Sequence, residues 1–154
     1  MGSNVLCLAV RPHIRRYLDH LVSSGPSAEL DAMLHVLERT LRIELTQTLP
    51  RTPLTFLHLV YRGRTPSRTR QQRAAYLLEC RYRQRCHAWL DQVRSLHQVS
   101  IMGAITLWRE RHGITEDDLA WETSRMAYVR YRAQRGALLP RGGRHTHCSL
   151  ALVI

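Results

Sequence analysis

The chain has 154 residues and a formal net charge of +11, with a sequence pI near 10.7. That length is enough for one ordinary domain with its own core, so folding need not depend on metals or disulfides. No stretch approaches the roughly 20 apolar residues of a membrane span, and the apolar run from Val5 to Val10 is too short for a secretory signal. The expectation is a cytoplasmic protein that keeps Cys7, Cys80, Cys86 and Cys148 as reduced thiols, since none is paired in a CxxC spacing.

All 23 basic residues are arginine. A GC-rich coding sequence would produce that bias without any need for bidentate recognition, so only the clustering of the charge is informative. The clustering is uneven: five arginines offset five acids from Met1 to Pro50, and nine offset six from Cys86 onward. Between them, from Arg51 to Arg85, nine arginines face Glu79 alone, a segment charge of +8. Basic density of this kind points to nucleic acid or an acidic surface.

Taken along the chain, Asn4–Val10 reads as a short strand and Pro12 opens a helix through Leu21, with the proline at a tolerated first-turn position. Ser23 to Pro26 is a loop, and Ser27–Leu41 is an amphipathic helix with Leu30, Leu34, Leu37 and Leu41 at helical spacing. Arg42–Leu49 alternates as a half-buried strand does. Pro50 and Pro53 interrupt it, and Leu54–Tyr61 is an apolar run read as strand in preference to helix. Together these strands make a small sheet covered by the N-terminal helices.

Thr65 and Pro66 suit the start of the longest helix, which runs without Gly or Pro to Ser100. Ala75, Leu78, Tyr82, Cys86, Trp89, Val93 and Leu96 share one arc of it and form the expected core face. Arg70, Arg73, Arg81 and Arg85 line a neighbouring arc. This ladder is the first candidate phosphate contact, because an ordinary solvated face would interleave acids for pairing. On this reading, exchanging Arg81 and Arg85 for Glu abolishes DNA binding and leaves the thermal midpoint nearly unchanged.

Val99–His112 forms the next helix, with Ile101, Ala104, Ile105 and Trp108 inward. Gly113 ends it as a left-handed residue, and Ile114–Arg135 follows with Thr115 as N-cap, Asp118 three residues on and an Ile114–Leu119 hydrophobic staple. Leu119, Met126, Val129 and Ala133 make its core stripe. Trp121, Arg125, Tyr128, Arg132 and Arg135 then fall on the outward face, where arginines grip phosphate and aromatics stack on bases. The pair resembles a helix-turn-helix, with Trp121, Ser124, Arg125 and Tyr128 toward the groove and Arg132 and Arg135 on the backbone. Glu116, Asp117 and Asp118 depart from that motif, since they would repel phosphate where bases are normally read.

Gly136, Gly142 and Gly143 break helix, and Leu150–Ile154 is apolar enough for an edge strand or for self-association, which would make the protein a homodimer. His145, His147 and Cys148 lack a fourth ligand, and no metal or cofactor is expected. Nothing supports an enzyme: no Gly-rich phosphate loop, HExxH or GxSxG occurs, and His13, Arg16 and Tyr17 lack the further context of a tyrosine recombinase.

The run from Trp108 to Arg132, with its TEDDL turn and closing YVRYR, resembles the C-terminal part of small uncharacterised proteins from mobile elements and prophages of Bacteroidota. The segment VLCLAVRPHIRRYL is similar to the strand and Pro-initiated helix that open those proteins. The resemblance implies a DNA-associated accessory or regulatory role and identifies no functional residue.

The expected fold is mainly α with a small β component, divided as a small α+β part (1–63), a helical part (64–135) and a tail (136–154) within one compact domain. The expected function is nucleic-acid binding, DNA before RNA, with no membrane partner. The alternative is a structural component of a phage or mobile element that binds an acidic protein.

Overall fold

The computed structural model describes residues 2–49 and 55–138. The expected tail strand Leu150–Ile154, the cluster of His145, His147 and Cys148, and both Pro50 and Pro53 lie outside the described residues. Within them the order is β1 (Asn4–Ala9), α1 (Pro12–Ser23), α2 (Ala28–Leu41), β2 (Glu44–Leu49), β3 (Phe56–Arg62), α3 (Arg68–His97), α4 (Ile101–His112) and α5 (Trp121–Leu138). The fold is mainly α with one small antiparallel sheet of strand order β1-β3-β2.

Alternation decides which face of the sheet is covered. Leu6, Leu8, Leu57, Leu59 and Tyr61 point inward and are buried, whereas Val5, Cys7 and Phe56 point outward and are exposed. Helices α1, α2 and α3 meet the sheet, and one core joins Leu37 and Leu41 of α2, Leu78 and Tyr82 of α3, and Trp108 of α4 to those strands. That core draws on both sides of residue 63. Arg15 is buried within α1, bonds Asp19 at 2.8 and 3.0 Å and donates to the Phe56 carbonyl, tying α1 to the first residue of β3.

Helix starts follow the capping chemistry. Pro12 opens α1, the Ser27 hydroxyl accepts from Leu30 N at 3.1 Å at the start of α2, and Ser100 does the same for Gly103 N at 3.0 Å in α4. In α3 the cap is Ser67, not Thr65, because Thr65 Oγ1 instead accepts from the Tyr61 hydroxyl at 3.3 Å. Helix α3 stops at His97, three residues earlier than Ser100, where Gln98 takes a left-handed φ of 52°.

The buried face of α3 is Ala74, Leu78, Tyr82, Cys86 and Leu90, so Ala75 gives way to Ala74, and Trp89 and Val93 are half-buried. Leu96, expected in the core, is 67% exposed.

The largest correction is at α5. Thr115 and Asp118 do form the reciprocal box: Thr115 N donates to Asp118 Oδ2 at 2.8 Å and Asp118 N donates to Thr115 Oγ1 at 3.4 Å. The box closes one turn only, and the helix begins at Trp121, whose N–H is capped by the Glu116 carboxylate at 2.9 and 3.0 Å. The link from Gly113 to Ala120 is therefore longer than the three- or four-residue turn of a helix-turn-helix. Two of its three acids are held by arginines of the fold: Arg109 Nη2 lies 2.9 Å from Glu116 and Arg16 Nε lies 3.2 Å from Asp118.

The stripe of α5 also turns relative to expectation. Tyr128, placed outward from the sequence, is fully buried, while Val129 and Ala133, placed inward, are exposed. The helix packs against α3 through Tyr128 rather than lying with Val129 on the core.

Candidate nucleic-acid interface

The arginine ladder of α3 splits into two halves with different chemistry. In the second half, Arg81 and Arg85 both grip Glu29 of α2, at 2.9 and 3.1 Å, and the Glu29 side chain is only 10% exposed. They are the clamp between α2 and α3, and their assignment as free phosphate contacts is corrected. Arg83, the residue between them, joins Arg11 and His13 on Glu79. Burial alone would raise the Glu79 pKa, but the 2.9 Å bond to His13 and the charges of Arg83 and Arg11 bring it below the usual carboxylate range. His13, Arg16 and Tyr17 thus have separate tasks: His13 meets Glu79, Arg16 meets Asp118, and Tyr17 is buried edge-on to Tyr82 and His112.

The first half is different. The corner between β3 and α3 is rigidly built: Gly63 turns with φ 119°, its carbonyl accepts from Asn4 Nδ2 at 3.4 Å, Pro66 is buried, and Gln71 Nε2 caps the Pro66 carbonyl at 2.9 Å. Arg62, Arg64, Arg68 and Arg73 are exposed along this corner, and Arg70 is half-buried. The Arg42 backbone, in the α2–β2 turn, lies beside Gly63 of the same corner, and Arg42 is exposed. Among the described residues these six arginines make no ion pair. The first turn of α3 holds no acid, so the positive end of its dipole adds to the same field.

The outward face expected for α5 is dispersed. Arg125 pairs with Glu122 at 2.5 Å, Trp121 is half-buried against the core, and Ser124 lies half-buried in a narrow groove with Leu119 and Tyr82. Tyr128 donates to Asp91 Oδ1 at 2.6 Å and accepts from Arg94 Nη1 at 3.3 Å. Arg132 is exposed, and Arg135 reaches Asp91 at 3.0 Å. Arg94, Arg132 and Arg135 come together in an open cleft of about 500 Å³ between α3 and α5.

Of the residues named from the sequence, Arg70 and Arg73 stand in the exposed basic corner and Arg132 and Arg135 in the α3–α5 cleft. Arg81, Arg85, Arg125 and Tyr128 are engaged internally. Sequence reasoning missed Arg42, Arg62, Arg64 and Arg68, although the charge run from Arg51 to Arg85 was the signal that contained three of them. Arg94 carried no signal, because only the packing of α5 makes it a cleft residue. No family model matches the chain, and neither the curated proteins nor the solved structures yield a match.

Proposed function

We propose that the protein binds nucleic acid, DNA in the first instance, through the basic corner of Arg42, Arg62, Arg64, Arg68, Arg70 and Arg73. The observation that carries the reading is the sorting of the arginines. Within the middle segment, Arg81, Arg83 and Arg85 meet acids and are structural, whereas Arg62, Arg64, Arg68, Arg70 and Arg73, which follow one another from the end of β3 into the first turns of α3, meet none among the described residues. Guanidiniums in excess of acid at one place, here with Glu44 opposite Arg62 as a neighbouring carboxylate, raise the local potential and suit the closely spaced phosphates of a backbone. On the resemblance to prophage and mobile-element proteins, the role is that of an accessory or regulatory factor.

The test is a fluorescence-anisotropy titration of a labelled duplex and its single strand at 50 and 200 mM salt. Neutralising six phosphates of a duplex would weaken binding by roughly 10³-fold over that range. Replacing Arg64, Arg68 and Arg73 by Gln should reduce affinity and flatten the salt slope by about one unit for each phosphate no longer neutralised, with the thermal midpoint unchanged. Absence of binding by the unaltered protein at low salt sinks the reading and leaves an acidic protein as the partner of this corner.

A further inference from the structure

We infer that the cleft between α3 and α5 is a separate binding site for a phosphomonoester. Arg94 lies 24 residues after Arg70 on one continuous helix, which places the cleft about 36 Å along the axis from the basic corner. The two cannot share one small ligand. The cleft draws Asp91 and Arg94 from α3 and Tyr128, Arg132 and Arg135 from α5, around a space of about 500 Å³.

Its donors are partly organised and partly unused. The Asp91 carboxylate is occupied by Tyr128 Oη at 2.6 Å and Arg135 Nη1 at 3.0 Å, and Arg94 Nη1 is oriented by the Tyr128 hydroxyl at 3.3 Å. Arg94 Nε is buried with no acceptor among the described residues, and Arg132 has no ion pair among them. Arg132 is exposed in the cleft without an acid, and Arg94 meets the neutral Tyr128 hydroxyl, so an anion in the cleft would offer these two guanidiniums acceptor oxygens. Charge selects the anion. Three guanidiniums against one carboxylate leave a net charge of +2, which a phosphomonoester of charge −1.5 to −2 at neutral pH approaches and a single carboxylate or a backbone phosphodiester does not. The forked geometry of arginine suits the three terminal oxygens.

Such a group occurs on a free mononucleotide or on the 5′ end of a strand, and the experiment separates them. Isothermal titration at fixed ionic strength would use inorganic phosphate, adenosine monophosphate, and a short oligonucleotide with and without a 5′-phosphate. The unaltered protein should bind phosphate and the monophosphate, and Arg132→Gln should weaken both by at least tenfold without changing the thermal midpoint. Arg94→Gln should also weaken both, whereas the Arg68→Gln, Arg73→Gln pair should leave both affinities unchanged. An oligonucleotide preferring its 5′-phosphate form by tenfold, and binding more tightly than the mononucleotide, assigns the strand end; equal or weaker binding than the mononucleotide assigns the small ligand. No heat of binding for inorganic phosphate and monophosphate, or undiminished binding in Arg132→Gln, overturns the site. The basic corner is tested by the oligonucleotide lacking the phosphate, so the two readings fail independently.

Discussion

The Tyr128 hydroxyl donates a 2.6 Å hydrogen bond to the carboxylate of Asp91, 37 residues earlier in the chain. This bond joins the middle of α5 to the last third of α3. The same carboxylate accepts from Arg135 at 3.0 Å, and the Tyr128 ring sits within 5.8 Å of the Arg94 guanidinium. Burial, followed by the Asp91 bond, raises the Tyr128 pKa, so the phenol remains a donor at neutral pH.

Tyr128→Phe removes that donor while filling the same space. A hydrogen bond to a charged group contributes roughly 1.5–3 kcal/mol when buried, and Asp91 keeps Arg135, so a loss of about 1–2 kcal/mol is expected. Urea unfolding followed by circular dichroism measures it. An unchanged midpoint would show that apolar packing alone docks α5.

Glu29 is the acid on which the second half of the ladder rests. Exchanging Arg81 and Arg85 for Glu would set three carboxylates together where Glu29 is only 10% exposed, so the thermal midpoint should fall by several degrees. This reverses the expectation from sequence that the exchange is structurally silent. Differential scanning calorimetry of the double variant decides between them, and a midpoint within a degree of the parent would reject the clamp.

His112 is buried with neither ring nitrogen bonded among the described residues, packed against Trp108, Tyr17 and His20 at ring distances of 4.2, 4.9 and 4.6 Å. Desolvation, with the nearby charges of His20 and Arg111, pushes its pKa down from 6.5 to about 3. The folded state therefore holds this imidazole neutral while the unfolded chain protonates it, so its contribution is intact above pH 6.5 and falls as the pH drops toward 3. Between pH 7 and 5 the loss from this one group is about 2 kcal/mol. His112→Phe should flatten the stability profile by that amount and, by removing two unbonded nitrogens, raise stability at pH 7 by about 1 kcal/mol. Chemical denaturation at both pH values is the measurement, and an equal slope in parent and variant would refute it.

Among the described cysteines, Cys7 is exposed on the open sheet face with its Sγ 3.3 Å from His58 Nδ1, Cys80 is half-buried, and Cys86 is buried. Burial pushes the Cys86 thiol up to about 12, which keeps it protonated at neutral pH. Iodoacetamide at pH 7.5, followed by peptide mass spectrometry, should label Cys7 first and Cys86 only after unfolding. Early labelling of Cys86 in the native protein would mean that α3 opens locally.

Several elements could be read in advance because their signals are local. Pro12 and Gly113 mark helix ends through a fixed φ and a left-handed residue, and both stand where the sequence indicates; the helix read from about Ser27 starts at Ala28 with Ser27 as its cap. Asn4–Val10 and Leu54–Tyr61 were legible as strands, while the burial of Leu6, Leu8, Leu57 and Leu59 beside exposed Val5 and Phe56 shows which face of the sheet is covered. The start of α5 misled because its signals were real at the wrong scale: Thr115 and Asp118 form a capping box, but it caps a single turn, and Glu116 caps the helix itself.

Composition and local pattern by themselves determined the basic character, the order of strands and helices, and the segment in which charge is concentrated. Which arginines are free was decided only by tertiary structure. An arginine becomes structural when an acid distant in sequence is folded beside it, as Glu29 is with Arg81 and Arg85, 52 and 56 residues away. The same holds for Tyr128: a 100° periodicity places it on a face, but whether that face meets solvent or Asp91 depends on how α5 lies across α3. Helical phase is a property of the segment, and burial is a property of its neighbours.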